Sequence, residues 1–209
     1  MENMLPDTRS VREKIRDAAV QLFAEMGYHA APLRDIASLA GIQAASIYYH
    51  YPSKQALLVE IMDTHMRQLN TSLERILAQP IGVQERLYEA IASHIRLHTT
   101  YKAEFFIIDT EIRALEGESR EKILALRDHY EHLLQSLLQE GIDQGVLRPT
   151  DVKVTSYAVI AMCTAVASWF RSPGRLTVQQ VIDLYSQIIT QGVLLNPESA
   201  QTRGESART

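Results

Sequence analysis

Between positions 43 and 54 the chain concentrates side chains that can bind phosphate or contact the edge of a nucleic-acid base. Hydroxyl, phenol, imidazole and ammonium groups occur there at Ser46, Tyr48, Tyr49, His50 and Lys54. Such groups near the start of a helix are common anchors for a phosphate backbone. Just before them, Gln43 can pair with adenine through its amide, and Ala44 and Ala45 can touch thymine methyl groups. The pattern therefore indicates a surface that contacts double-stranded DNA.

The elements that would position these side chains follow the plan of a helix-turn-helix. An apolar helix ends at Gly27, and a short helix carries Arg34 to Ala37. A tight turn at Gly41 leads to a third helix from about Gln43 to Tyr49, and Ser53 caps a long fourth helix. A short helix, a glycine turn and a second short helix place that second helix in the major groove.

Four segments of this region resemble the N-terminal DNA-binding domain of the TetR family of bacterial repressors. They are F-A-E-x-G-Y at 23–28, R-D-I-A at 34–37, A-G-I at 40–42 and I-Y-Y-H-Y-P-S-K at 47–54, in the family's order and spacing. The resemblance covers about the first quarter of the chain. It implies that Tyr48 and Lys54 contact phosphates and that Ile47 and Tyr51 belong to the core.

The chain departs from the family where the recognition helix begins. Most members have Ser or Thr followed by a lysine or a glycine-like pair, whereas this chain has Gln43-Ala44-Ala45. Its operator sequence therefore cannot be taken from a relative. Other roles also stay open: Gln43 could only cap its helix, and Tyr49 or His50 could be packed aromatics. Arg34, a candidate contact to the DNA backbone, could instead pair with Asp35 or Asp17.

Composition and charge exclude several classes of protein. The 209 residues include 21 basic and 25 acidic side chains, for a net charge of −4. Basic and acidic residues balance within 1–54, so the negative excess lies in the rest of the chain, and we expect weak non-specific DNA binding. The single cysteine, Cys163, rules out an internal disulfide and favours a cytoplasmic location. We expect no signal peptide, no apolar run of membrane-spanning length and no membrane contact.

The chain as a whole has the pattern of an all-α protein. Glycine and proline separate nine predicted helices, three in a DNA-binding head and six in a body. We predict a helix-turn-helix domain over 1–54, a ligand-binding and dimerisation domain over 55–195, and a disordered tail over 196–209. Capping boxes are predicted at Ser10 and Thr177, and a helix cap at Thr150. The TetR family resemblance implies the same plan.

The last two long helices form the predicted dimer surface. One carries small residues in steps of three or four, at Ala158, Ala161, Ala165 and Ser168. The other carries larger apolar residues at matching steps, at Val181, Leu184, Tyr185, Ile188 and Leu195. Two such pairs can build a four-helix bundle across a two-fold axis, although both faces could instead be internal core.

A ligand site is expected where bulky or polar side chains interrupt apolar helices of the body. Twelve positions fit this description: His65, His94, His98, Tyr101, Phe105, Phe106, Asp109, Arg113, Tyr157, Met162, Trp169 and Arg171. Many would be plain core, but as a set they suggest an apolar cavity with a few polar anchors. The four-residue spacing of His94 and His98 could hold a metal with Glu104 or Asp109, but we predict no metal site and no cofactor.

Two segments narrow the class of ligand. Residues 105–111 (FFIIDTE), which precede Arg113, and residues 169–174 (WFRSPG) resemble a TetR subgroup that regulates steroid, aromatic and fatty acid breakdown. Several of those regulators sense acyl-CoA thioesters. The resemblance thus implies an acyl-CoA effector whose phosphates meet Arg113, Arg171, Arg175 or Lys102. The alternative is a repressor of an efflux or catabolic operon that senses drugs or free acids.

The predicted function is that of a dimeric repressor that binds a palindromic operator and releases it when a small hydrophobic effector displaces the fourth helix. That displacement would change the separation of the two recognition helices from one DNA turn, roughly 34–36 Å. A corepressor or an activator role stays open. No motif supports an enzyme, and a ligand-binding or adaptor protein that has lost DNA binding is a further alternative.

Overall fold

Residues 10–193 are the part of the chain that the computed structural model describes, and they form nine α-helices without a strand. The helices are α1 Val11–Met26, α2 Leu33–Leu39, α3 Ile47–His50, α4 Lys54–Leu77, α5 Val83–Thr100, α6 Lys102–Glu111, α7 Gly117–Asp143, α8 Val152–Trp169 and α9 Val178–Val193. Two 3₁₀ turns, Ala44–Ser46 and Ile112–Ala114, precede α3 and follow α6. The predicted all-α fold is confirmed. Leu195 and the predicted tail at 196–209 lie outside the described residues.

Side-chain caps at the helix starts follow the sequence closely. Ser10 and Glu13 form the predicted capping box: each backbone N–H donates to the other's side chain, at 2.7 and 3.2 Å. Thr177 and Gln180 do the same ahead of α9, at 2.9 and 3.2 Å. The cap predicted at Thr150 is wrong by one residue. Asp151 caps α8 instead, because its carboxylate accepts from the N–H of Val154 at 2.9 Å.

One compact unit contains the described residues up to Met66 together with Ala103–Ala125. It holds α1 to α3, the first half of α4, α6 and the start of α7. Its core is apolar and closed to solvent, with Ile15, Phe23, Ile36 and Ile47 fully buried. This unit extends beyond the predicted domain boundary at residue 54, and that boundary stays a prediction.

The second compact unit contains Arg67–Lys102 and the described residues from Leu126 onward. Within it, α5 packs against both α8 and α9. The core residues include Leu87, Ile91, Leu137 and Val166, all within 1% of complete burial. Several polar side chains are also buried in this unit, so its interior is less uniformly apolar than that of the first.

The face of α8 that points away from this core is apolar and exposed. By length and composition alone, α8 could cross a membrane, which the sequence analysis did not predict. Of this helix, 22% is buried within the chain. Its exposed residues include the small side chains of the predicted dimer surface: Ala158, Ala161, Ala165 and Ser168.

On α9, Leu184 and Ile188 are 47% and 55% exposed, and Tyr185 is half-buried. Val181 is 1% exposed and belongs to the core, so its assignment to the predicted dimer surface is wrong. The other predicted surface residues within the described part of the chain are exposed or half-buried.

Candidate DNA-binding surface and candidate effector site

The turn between α2 and the recognition segment depends on glycine at position 41. Gly41 has φ +71°, in the left-handed region where a side chain is strained. Its N–H donates to the carbonyl of Ser38 at 3.1 Å, and the next N–H, of Ile42, donates to Ala37 at 3.0 Å. This closes α2 and redirects the chain within two residues. The recognition segment that follows is a 3₁₀ turn joined to the four-residue α3, which corrects the predicted continuous helix over 43–49.

The recognition segment separates a buried side from an exposed one. Ile47 and Tyr51 are 0% and 1% exposed, which confirms that they are core residues. Tyr48 and Tyr49 are 60% and 89% exposed, so Tyr49 is not a packed aromatic. Four other candidate DNA contacts of the segment are exposed as well: Gln43, Ala44, Ala45 and Ser46. His50 is half-buried.

Two further candidates were predicted to have either a DNA contact or a structural role. Gln43 occupies the position before the 3₁₀ turn but makes no side-chain capping bond, so its amide does not serve as a cap. Arg34 lies 3.3 Å from Asp35, which is the pairing that the sequence left open. Both side chains of that pair are largely exposed, and such pairs contribute little to stability.

Lys54 is directed inward rather than away from the head. Its ammonium donates to the carbonyl of His29 at 3.2 Å and lies 4.5 Å from the centre of the Tyr28 ring. Burial lowers the pKa of Lys54, while the nearby carboxylate of Glu111 acts in the opposite direction. Glu111, the last residue of α6, also accepts from the N–H of Tyr28 at 3.2 Å. Lys54 therefore joins the start of α4 to the segment that follows α1.

Sequence reasoning missed a second tie within the head, centred on Arg12 and Glu60. Arg12 donates to Glu60 through Nε at 3.2 Å and to the carbonyl of His50, the end of α3, at 3.2 Å. The Tyr51 hydroxyl donates to the same carboxylate at 2.6 Å. Burial alone would raise the pKa of Glu60, but the bonds from Arg12 and Tyr51 lower it. These contacts fix the end of α3 against α1 and α4, and no motif signals them.

The predicted ligand-site residues are divided between the two compact units. His65, Phe105, Phe106, Asp109 and Arg113 belong to the first unit, and the others belong to the second. His65 and Phe105 are buried together with ring centres 5.6 Å apart, and Phe106, Asp109 and Arg113 are exposed. In the second unit, Tyr157, Trp169 and Arg171 are exposed, and Tyr101 and Met162 are half-buried.

A buried polar cluster surrounds His94 in the second unit. Its Nδ1 lies 2.8 Å from the hydroxyl of Tyr130 on α7, and its Nε2 lies 3.0 Å from the hydroxyl of Thr164 on α8. His98 stacks on the imidazole with ring centres 4.0 Å apart and contacts the carbonyl of His94 through Nδ1 at 3.0 Å. Burial lowers the pKa of His94 well below its ordinary value, and the neighbouring His98 lowers it further. His94 is therefore neutral at physiological pH.

This cluster lines a cavity of about 10 Å³. Its lining residues are Ala90, Ile91, His94, Tyr130, Leu134, Val159, Ile160 and Cys163. Burial raises the pKa of the Cys163 thiol to about 12, so the thiol is un-ionised and adds to the apolar wall. Sequence reasoning missed Tyr130 and Thr164. A tyrosine in step with Leu126 and Leu134 on α7 was the available signal.

The second concave site is a surface groove after α8, with a volume of about 260 Å³. Its lining residues are Trp169, Phe170, Arg171, Gly174, Arg175 and Leu176. Gly174 is required because a Cβ there would overlap the carbonyl oxygen of Arg171. Two of the predicted ligand contacts, Trp169 and Arg171, are therefore brought together here.

Two cations converge on one carbonyl beside this groove. Lys102 and Arg171 both donate to the carbonyl of Phe170, Arg171 through Nη1 at 3.0 Å. Burial lowers the pKa of Lys102, and the charge of Arg171 lowers it further. An anion bound between the two would relieve their mutual repulsion.

A metal at His94 and His98 finds no support in the described chain. Among residues 10–193, no three side chains of His, Cys, Asp or Glu come together in a way that could hold an ion. The two rings are stacked face to face, and both nitrogens of His94 already contact hydroxyl groups.

Comparison with known proteins connects both parts of the chain to bacterial regulators. A family model described as "Bacterial regulatory proteins, tetR family" matches residues 15–61, and one described as "Tetracyclin repressor-like, C-terminal domain" matches residues 81–193. The transcriptional repressor KstR2 of Mycobacterium tuberculosis is 29% identical over 196 residues, which cover 92% of this chain and 98% of the relative.

Two solved structures are similar over nearly their whole length. The TetR family transcriptional regulator PfmR from Thermus thermophilus is 32% identical with a TM-score of 0.79, covering 85% of this chain and 97% of that one. AibR, solved in complex with isovaleryl coenzyme A and operator DNA, is 28% identical with a TM-score of 0.78, covering 87% and 97%.

Proposed function

This chain belongs to the TetR family of bacterial regulators and is a ligand-responsive transcriptional repressor of that type, and from that premise we propose that it is a dimer released from a palindromic operator by an acyl-CoA thioester. The family consists of regulators and not of enzymes. A cytoplasmic location is part of the proposal, since it suits a protein that meets both DNA and a coenzyme A thioester.

The exposed recognition segment supports the DNA-binding half of the proposal. Gln43, Ala44 and Ala45 precede α3 with their side chains exposed, where they can meet base edges in the major groove. Tyr48, Tyr49 and Ser46 can contact the flanking phosphates. The ties through Arg12 and Lys54 hold the segment in place without using its exposed side.

The exposed apolar faces of α8 and α9 support the dimer. A large apolar surface on a regulator is a typical interface, and an interface between two copies is self-complementary. The alanines of α8 allow a second copy to approach closely, while Leu184 and Ile188 supply apolar area. A two-fold axis through this interface would allow the two recognition segments to bind the two half-sites of a palindrome.

The single observation that carries the acyl-CoA proposal is the group of three cationic side chains at the groove after α8. Coenzyme A carries several phosphates, and arginine binds phosphate through charge-assisted hydrogen bonds. Arg171 and Arg175 line the groove, which contains no acidic residue among its lining side chains, and Lys102 contacts its wall. AibR, a similar protein, was crystallised with an acyl-coenzyme A.

Release of DNA would follow from a shift between two states of the repressor. Helix α4 starts shortly after the recognition segment and continues into the second unit, so it is the proposed carrier of the signal. An effector that binds better to the state with the wrong recognition-helix spacing lowers operator affinity by its differential affinity for the two states.

The decisive experiment measures melting temperature with matched free acids and CoA thioesters, from short aliphatic to aromatic and steroid acids. A thioester at about 100 times its dissociation constant adds about 2.7 kcal/mol, which raises Tm by roughly 5–11 °C for a chain of this size. A shift with a thioester, but not with its acid or with CoA alone, supports the proposal. No shift with any thioester would overturn the acyl-CoA effector and favour a sensor of free acids or drugs.

Variants separate the phosphate contacts from the rest of the site. The double variant Arg171→Ala/Arg175→Ala should weaken thioester binding at least tenfold, because it removes two phosphate partners. Arg120→Ala, an exposed arginine on α7, is the matched control and should leave binding unchanged. Release of a labelled duplex from the chain's own upstream region, followed by fluorescence anisotropy, then tests whether the same thioester acts as an inducer.

A further inference from the structure

The hydrogen-bonding capacity of the buried His94 cluster is not used up by its own members. The imidazole is 4% exposed and contacts one hydroxyl at each nitrogen, from Tyr130 and Thr164. A neutral imidazole has one N–H donor and one acceptor nitrogen. One hydroxyl must therefore donate to the ring, while the other accepts from it and keeps its own proton.

That remaining proton makes the cluster adaptable. If Nε2 carries the ring hydrogen, Thr164 accepts and Tyr130 donates to the ring; if Nδ1 carries it, the roles are exchanged. In the second arrangement the Tyr130 hydroxyl keeps a proton that it can donate, and in the first its oxygen keeps a lone pair that can accept. Tyr130 and His94 both line the cavity. The cluster can thus serve either a donor or an acceptor there.

The surroundings of the cavity define what kind of group fits. The other lining side chains are aliphatic or the un-ionised Cys163, and the lining set contains no lysine or arginine. A carboxylate would be buried there without a cation, which is costly. A neutral oxygen on an otherwise apolar group would have a hydrogen-bond partner and apolar neighbours.

We infer that Tyr130 and His94, whose tautomer Thr164 helps to set, anchor a neutral carbonyl or hydroxyl oxygen carried on the acyl part of the effector. This inference rests on the acyl-CoA effector proposed above and names the chemistry of its acyl group: oxygenated, rather than a plain hydrocarbon chain. The cavity of about 10 Å³ matches one small polar group. A larger acyl group must displace aliphatic side chains such as Leu134 and Ile160, which couples its binding to the packing of α7 against α8.

The test compares CoA thioesters that differ only by one oxygen. Saturated acyl-CoAs of six to twelve carbons are titrated by calorimetry beside their ω-hydroxy and (ω−1)-oxo analogues, together with cyclohexanecarboxyl-CoA and its 4-oxo analogue. The oxygenated member of at least one pair should bind at least tenfold more tightly than its hydrocarbon match. Equal or weaker binding of every oxygenated member, with measurable binding of the hydrocarbons, would overturn the inference and leave the acyl-CoA proposal intact.

Two conservative variants identify the residues responsible. Tyr130→Phe and Thr164→Val each remove a hydroxyl and keep the shape of the side chain. Each should reduce the preference for the oxygenated ligand to about threefold or less, while affinity for the hydrocarbon match stays within a factor of two. A preference that survives in both variants would overturn the assignment to this cluster.

A measurement on the unaltered protein covers the case in which a variant does not fold. The ¹⁵N chemical shifts of the His94 ring report which nitrogen carries the hydrogen, and they should change when the oxygenated ligand binds but not when the hydrocarbon match binds. Unchanged shifts with the oxygenated ligand would count against the inference. If no CoA thioester binds the unaltered protein at all, the acyl-CoA proposal itself fails and the inference fails with it.

Discussion

The recognition segment and the His94 cluster use the same kinds of side chain in opposite environments. The head presents two tyrosines and a serine hydroxyl on an exposed surface, with Tyr49 89% exposed. The second unit contains a tyrosine, a threonine and a histidine that hydrogen-bond to one another, with Tyr130 6% exposed. On binding, the exposed set replaces hydrogen bonds to water with contacts to a partner. The buried set must instead replace hydrogen bonds that it already makes within the protein.

This difference predicts which property each region controls. Exposed polar side chains contribute little to folding, so changes in the recognition segment should alter binding without altering stability. Buried side chains contribute to both, so changes around the cavity should alter stability along with the response to effector.

The largest expected effect comes from shortening a side chain that lines the cavity. Leu134 is 3% exposed, and Leu134→Ala should lower the free energy of unfolding by about 2–5 kcal/mol, since it deletes buried methyl groups and leaves a larger void. The melting temperature should fall by roughly 4–20 °C. Calorimetric melting checks this, with Tyr49→Ala as the matched change in the head. Equal stability of the two variants would contradict the predicted difference between the cavity and the recognition segment.

The next effect is a loss of stability in mild acid, which originates from buried histidines. Burial, and next the charge of Arg16, lower the pKa of His65 to about 4, although Glu104 lies 3.8 Å away. The unfolded chain therefore binds more protons than the folded one below about pH 6.5. Stability is fully present above that pH and falls as the pH is lowered toward 4, by about 2 kcal/mol at pH 5 from His65 alone.

Urea unfolding at pH 7 and pH 5 measures this loss. His94, whose pKa is lowered in the same direction, adds to it. His65→Leu should reduce the difference between the two pH values, whereas His132→Gln, at an exposed position, should leave it unchanged. A His65→Leu protein with the full difference would show that the acid sensitivity has another source.

The same contrast explains what the sequence could and could not predict. The helix-turn-helix was readable because Gly41, the caps and the order of exposed and buried positions are local properties of adjacent residues. Ile47 and Tyr51 were assigned to the core by position alone. The length of the recognition helix was overestimated because a 3₁₀ turn and an α-helix share the same apolar pattern over so few residues.

The cavity was not readable because its polar contacts join residues that are far apart in sequence. His94 was singled out, but its partners Tyr130 and Thr164 are 36 and 70 positions further along the chain. Tyr157 was selected for the pocket by its bulk, yet it lies on an exposed part of α8, since periodicity does not tell which apolar face of a helix meets the core.

A smaller effect is expected on sequence discrimination by the head. Gln43→Ala removes the only amide at the start of the recognition segment and should lower discrimination at one base pair of each half-site about tenfold, the lower end of about 1–3 kcal/mol for such a contact. Competition between duplexes that differ at single positions measures it. Stability should stay within about 0.5 kcal/mol. A uniform loss of affinity for all duplexes would mean that Gln43 contacts the DNA backbone instead.

The smallest effect, at Lys54, tests whether the division between binding and stability is strict. The family resemblance assigns this residue to a phosphate, yet its ammonium is bonded to His29 and lies over the Tyr28 ring. If both roles are real, Lys54→Ala should cost about 1 kcal/mol of stability through these contacts. It should also lower the magnitude of the slope of log affinity against log salt by about one for each phosphate that the lysine neutralises. Tyr49→Ala should lower affinity without the loss of stability. A Lys54→Ala protein that is less stable but keeps the full salt slope would make this lysine a structural tie of the head, and the phosphate assignment would then be wrong.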